Sequence, residues 1–89
     1  MSLVEHGLCE ADEAEEFCSG GNLEWPDGRL PLNTSGGNLA EAYMHGLELV
    51  VEGVRQLRGT STCQVKDAEI CLVAAGPMVA PVSNLLLRN

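Results

Sequence analysis

The chain has 89 residues, 45% of them hydrophobic, and a formal net charge of −8. That composition excludes a disordered tail, and no apolar run approaches the ~20 residues that a membrane span needs. Residues 1–28 carry eight acids and no Lys or Arg, whereas 29–89 carry five of each, so no basic stripe supports nucleic-acid binding and the acidic segment reads as a solvated face.

Taken in chain order, Leu3 to His6 reads as the end of a helix, with Gly7 at the usual place of a left-handed C-terminal cap. Glu10 to Phe17 is acidic and predicts at most a short exposed helical turn. Asn22-Leu23-Glu24-Trp25, the turn signal Pro26-Asp27-Gly28 and then Arg29-Leu30-Pro31-Leu32 predict a hairpin-like excursion. Pro31 confines the second arm to an edge or an irregular strand. Cys9, Cys18, Cys63 and Cys71 show no repeating spacing, and no secretory signal stands ahead of them. A reducing, cytoplasmic setting is therefore expected. His6, Cys9 and Cys18 lack the paired spacing of a zinc site, so no metal is expected.

Asn33 to Asn38 is a polar, glycine-rich loop that opens a long helical pattern. Leu39, Tyr43, Leu47, Val50, Val54 and Leu57 recur at three- and four-residue spacing and predict a helix from Leu39 to about Leu57. Glu41, His45, Glu48, Glu52 and Arg55 recur on the opposite face, expected to be solvated. Asn38 or Ser35 is the candidate N-cap, and Gly59 the stop. Gly46 and Gly53 each cost about 1 kcal/mol of helix propensity, which points to close packing against another backbone. Beyond a polar connector, Glu69 to Ala75 predicts a strand buried on both faces. Met78 to Pro81 predicts a loop, and Val82 to Arg88 a second strand that pairs with the first as an antiparallel hairpin.

The resulting fold class is α/β, a long buried helix followed by a β-hairpin, and the layer is incomplete. Its apolar faces ask for more cover than 89 residues supply. A fragment of a larger architecture or an obligate partner, and hence an oligomer, is expected.

The run Asn33-Thr34-Ser35-Gly36-Gly37-Asn38-Leu39-Ala40-Glu41-Ala42-Tyr43-Met44-His45-Gly46 resembles the C-terminal catalytic segment of thiolases, where Asn-x-x-Gly-Gly leads into Gly-His-Pro. Gly28-Arg29-Leu30-Pro31-Leu32-Asn33-Thr34-Ser35-Gly36-Gly37 and Val54-Arg55-Gln56-Leu57-Arg58-Gly59-Thr60 are similar to runs of the nonspecific lipid-transfer, sterol-carrier-protein-x type branch. The resemblance covers essentially all of residues 1–89. It implies a partial thiolase-like layer within a mixed five-stranded sheet, with the N-terminal half of the fold supplied elsewhere.

The same resemblance implies a coenzyme A thioester as substrate and no bound cofactor. The Gly-His-Pro histidine aligns with Tyr43, and the Cys-x-Gly cysteine falls at Val73 in a stretch without cysteine, so ordinary thiolysis is not expected. Members with Tyr at this position look like aldolases that cleave β-hydroxyacyl-CoA side chains, including those of steroids. Tyr43 is then the candidate catalytic base, its alternative being a core aromatic on the helix stripe. His45 is either a solvated surface residue or a neighbour of the acyl-CoA. Gly36 and Gly37 either offer backbone N–H groups to an oxyanion or phosphate, or only reverse the chain. A non-catalytic module that completes a partner in a lipid-transfer complex, or a truncated acyltransferase fragment, is the competing reading.

Overall fold

The computed structural model describes residues 2–41, 43–75 and 83–89. The chain divides into two compact units, Met1–Leu32 and Asn33–Asn89. The expected 78–81 loop and the first residue of the expected second strand, Val82, lie outside the described residues.

In the first unit, α1 (Ser2–Glu5) ends as the sequence predicts. Gly7 takes φ 69°, its N–H donates to Val4 O at 2.9 Å, and Leu8 N–H donates to Leu3 O at 2.9 Å. These bonds absorb carbonyls that a helix end otherwise leaves unpaired. The acidic stretch forms a single turn, α2 (Ala14–Phe17), which buries Ala14 and Phe17 while its glutamates face solvent. Arg29 lies over the Phe17 ring, its Cζ 5.4 Å from the centroid, within cation–π range. The expected excursion is present as hydrogen bonds without strands. Leu30 N–H donates to Asn22 O at 2.8 Å and Leu32 N–H to Leu23 O at 3.0 Å, around a cis Trp25–Pro26 peptide.

In the second unit, a 3-10 turn (Gly37–Leu39) precedes α3 (Leu47–Arg58), and β1 (Ile70–Ala75) pairs antiparallel with β2 (Ser83–Arg88). The register sets Ile70 opposite Arg88, Val73 opposite Leu85 and Ala75 opposite Ser83. A lone two-stranded sheet is marginal, and α3 supplies the face it needs. At Gly53 a Cβ would stand 3.1 Å from Cys71 Sγ, 3.3 Å from Val73 Cγ2 and 3.4 Å from Leu87 Cδ1. The close approach expected at Gly53 is thus real, and it is made by hairpin side chains. At Gly46 it is not: nothing lies within 4 Å, and φ is 89°. Gly46 serves instead as the left-handed N-cap of α3.

Two further expectations are corrected. The helix begins at Leu47, not Leu39, because His45 and Gly46 both take positive φ, a conformation that a right-handed helix cannot include. Neither Ser35 nor Asn38 caps it. The expected polar stripe is also partly buried: Glu48 and Glu52, with Gln56 beside them, are 5%, 8% and 7% exposed, while Arg55 is solvated. Of the expected apolar stripe, Val50, Val54 and Leu57 are half-buried and Leu47 lies open to solvent. One helix covers only one face of the hairpin, so Ile70 and Leu86 remain exposed and β1 is not buried on both faces.

The physical cause of that burial is a hydrogen-bond network centred on the Glu52 carboxylate. Its Oε1 accepts from Thr34 Oγ1 at 2.7 Å, Ser61 Oγ at 2.7 Å and Gln56 Nε2 at 2.9 Å. Gln56 in turn accepts at Oε1 from Val65 N–H at 2.9 Å and donates from Nε2 to Cys63 O at 2.8 Å. Gln64 donates from Nε2 to Gln56 O and Val65 O, each at 2.9 Å. Three polar residues, four apart on one face, therefore fasten the segments before and after α3 to the helix. The end of α3 follows the sequence: Gly59 takes φ 70° and Thr60 N–H donates to Arg55 O at 2.9 Å.

Burial alone would raise the pKa of Glu52. The hydrogen bonds from Thr34, Ser61 and Gln56, with the charge of Arg55, outweigh it and hold the carboxyl below its ordinary value of 4.5. A lowered folded pKa means that its contribution to stability is complete above the ordinary value and is lost as pH falls through the folded one. Glu52→Gln should lower stability at pH 7 by about 1–3 kcal/mol, and the gap from the wild type should close as pH is lowered toward 3. Denaturant midpoints of both proteins across that range measure this; a gap independent of pH would contradict it. Gly53→Leu, forced against Cys71, Val73 and Leu87, should cost about 1–3 kcal/mol in the same titration at pH 7.

Candidate active site

The segment between Asn33 and Leu47 is held against α3 from behind and open in front. Thr34 anchors its start through Glu52 and Gln56. Glu41 pairs with Arg55 at 3.3 Å, an exposed contact worth little on its own. At its end, Met44 N–H donates to Glu48 Oε2 at 3.1 Å. The anchors use backbone, Thr34 and Glu41, which leaves Leu39, Tyr43, Met44 and Leu47 exposed along one stretch of chain.

Tyr43 is 63% exposed and lies in this segment, four residues ahead of α3. It therefore does not lie on a helix stripe, and no core of this unit covers its ring. His45 is also off the helix and exposed, at φ 55°, so Glu41 and Glu48 do not flank it one helical turn away. The two rings instead face each other: their centroids are 5.2 Å apart, with planes inclined at 56°. The positive φ of His45 and Gly46 turns the chain sharply here, which brings side chains at positions 43 and 45 together ahead of the helix.

Gly36 and Gly37 open the same segment at φ 82° and 65°. The Gly36 N–H donates to Asn33 O at 2.8 Å, so it is already spent within the turn. A Cβ at Gly36 would meet Ala40 Cβ at close range, so the position demands glycine on steric as well as conformational grounds. Gly37 O accepts from Ala40 N–H at 3.3 Å and Glu41 N–H at 3.1 Å, closing the 3-10 turn.

All four cysteines are free thiols. Cys71 lies on β1 beside Gly53, and burial, followed by the nearby Glu52 charge, raises its thiol pKa. A raised pKa keeps the thiol protonated near neutrality, whereas nucleophilic catalysis needs the thiolate. Val73, where the aligned thiolase cysteine would stand, is buried against α3. Among the described residues no group of three or more His, Cys, Asp or Glu could hold a metal ion. Likewise, no described helix is long and apolar enough to cross a membrane.

Sequence periodicity did not expose Glu48, Glu52, Gln56, Thr34 and Ser61 as the frame of this site. The four-residue spacing of 48, 52 and 56 was visible, but spacing identifies a shared face without identifying which face is buried.

Comparison with known proteins agrees with the resemblance read from the loop. The thiolase C-terminal domain-like family matches residues 1–88. A 17-hydroxy-3-oxo-4-pregnene-20-carboxyl-CoA lyase of Mycobacterium tuberculosis is 51% identical over 87 residues, covering 98% of this chain and 22% of the relative. A steroid side-chain-cleaving aldolase of Thermomonospora curvata is 51% identical over 85 residues, covering 96% of this chain and 21% of the relative. The chain thus spans about a fifth of the length of the curated relatives it matches. No solved structure matches it. With a helix and hairpin that form part of a thiolase C-terminal layer, and a family match from end to end, this chain belongs to the thiolase C-terminal domain-like family.

Proposed function

We propose that this chain supplies the Tyr43 segment of an aldolase that cleaves a carbon–carbon bond in a steroid or lipid β-hydroxyacyl-CoA, acting with the remainder of a thiolase fold. The observation that carries the reading is an exposed phenol on an anchored loop, at the position aligned with the thiolase histidine. The printed names of two relatives, at 51% identity, support the substrate class. A hydroxyl at position 17 and a thioester carbonyl on carbon 20 place the hydroxyl β to that carbonyl, as a retro-aldol reaction requires.

In that reaction the base removes the β-hydroxyl proton, and the oxygen's electron pair forms the new ketone. The bond between the α and β carbons breaks, and its electrons pass to the thioester as an enolate. A proton delivered to the α carbon completes the acyl-CoA product, so no oxidant or external nucleophile is consumed. Tyr43 takes the role of base or proton relay. A phenol has an ordinary pKa of ~10, so the task requires surroundings that favour its anion at the moment of transfer. His45, with its ring 5.2 Å from that of Tyr43, is the near neighbour through which a proton can be passed on or the acyl-CoA approached. With the Gly36 N–H already engaged inside its turn, Gly37 is the residue of the pair that can address the enolate oxygen.

The exposed apolar side of the hairpin, with Ile70, Leu72 and Leu86, fits a chain that works inside a larger assembly. Coenzyme A enters as part of the substrate in this scheme and no resident cofactor is required.

The test is the cleavage rate of 17-hydroxy-3-oxo-4-pregnene-20-carboxyl-CoA by the assembled protein and its Tyr43→Phe variant. Phe keeps the ring and removes the hydroxyl, so the expected loss is about 10²–10⁴-fold, with binding little changed. Thiolysis of acetoacetyl-CoA should be negligible in both, because Val73 holds the aligned cysteine position and Cys71 is a protonated thiol. Near-wild-type cleavage by Tyr43→Phe would remove the base and favour a non-catalytic module. Enzyme-level thiolysis would return the chain to ordinary thiolase chemistry.

A further inference from the structure

Glu48 is placed where packing alone gives it no reason to be. It is 5% exposed, in the first turn of α3, and its carboxylate receives one hydrogen bond at Oε2, from Met44 N–H at 3.1 Å. Among the described residues its Oε1 is buried with no hydrogen-bond partner. The helix N-terminus offsets part of the charge. Even so, a buried carboxylate with a single donor stabilises a fold less well than an apolar side chain of its size. Glu52, one turn on, shows the contrast: its Oε1 alone collects three donors.

What Glu48 does hold is specific. Met44 is the residue between Tyr43 and His45, and its amide is the backbone group nearest to both rings in sequence. His45 and Gly46, which follow it, both take positive φ and turn the chain, so the direction in which the Met44 peptide is held sets where that turn begins. A charge-assisted bond from a rigid helix supplies that hold, at a point where neither ring is buried by other side chains. Resting on the aldolase reading, we propose that Glu48 is a positioning residue for the reaction: through the Met44 amide it sets where the Tyr43 phenol stands, without touching the substrate itself.

The consequences differ from those of a residue that only stabilises the fold. Misplacing a reacting group by about 1 Å can cost roughly 10²-fold in rate. In the assembled protein, Glu48→Ala should lower kcat for 17-hydroxy-3-oxo-4-pregnene-20-carboxyl-CoA by about 10- to 100-fold with little change in KM. Glu48→Gln, which keeps an oxygen for the Met44 amide but loses the charge, should lose less. Added to Tyr43→Phe, Glu48→Ala should cost nothing more, because the group it positions is already gone. Hydrogen exchange at the Met44 amide gives a readout independent of turnover, and should speed up in Glu48→Ala and less so in Glu48→Gln.

A wild-type kcat in Glu48→Ala beside a disabled Tyr43→Phe would overturn the positioning role and leave the base intact. An equal loss in both backgrounds would overturn it too, by showing that Glu48 acts independently of Tyr43. Should Glu48→Ala fail to fold, a Glu48→Gln protein with unchanged kcat and unchanged Met44 exchange would refute the proposal. Full cleavage by Tyr43→Phe would strike the aldolase reading itself, and this inference with it.

Discussion

The small α/β unit is organised around one carboxylate, to which the start of the Tyr43 segment is tied. Glu52 Oε1 takes donors from Thr34, Ser61 and Gln56, and these belong to the loop before α3, the connector after it and the helix itself. Once desolvated, a carboxylate is expensive unless its lone pairs are met, so the three segments are not free to part independently. The network replaces part of the apolar core that so short a chain lacks: among the described residues of this unit Val73 is the buried hydrophobic side chain, and no large one is fully buried. The helix then makes two contacts of different kinds. Gly53 lets the hairpin side chains Cys71, Val73 and Leu87 come close on one side, while 48, 52 and 56 hold the loops on another.

The elements legible from sequence were those set by local chemistry. Gly7 and Gly59 end their helices in left-handed caps, and β1 and β2 pair where the apolar runs place them, because these depend on a few neighbouring residues. The α3 start was not legible in the same way. Leu39, Tyr43 and Leu47 continue the helical period by spacing alone, yet the chain between them contains His45 and Gly46 at positive φ. Period is a necessary condition for a helix face; it does not detect a turn that tertiary hydrogen bonds stabilise.

The burial of Glu48 and Glu52 on α3 has a related cause. Glutamates at four-residue spacing read as solvated because an unpartnered charge belongs in water. Their partners here are Thr34, Ser61, Cys63 and Val65, which stand seven to eighteen residues from Glu52 or Gln56 in the chain, beyond any helical window. The candidate site was legible as a motif and not as a shape. The Asn-Thr-Ser-Gly-Gly run marked the segment, and Tyr43 stood out against the family pattern. Its exposure, its approach to the His45 ring and the Glu48 bond to the following amide came only from three dimensions.

The way this loop is fastened also bears on how its chemistry can change over evolutionary time. The holds at Met44 and Gly36 grip main-chain atoms, and Thr34 and Glu41 lie away from positions 43 and 45. The side chains at 43 and 45 consequently carry none of the hydrogen bonds that keep the backbone in place. A histidine, a tyrosine or another proton-bearing group can be exchanged at position 43 while the scaffold beneath it keeps the same partners. Such an arrangement separates inheritance of shape from the choice of side chain at position 43, because the partners that hold the frame do not include it.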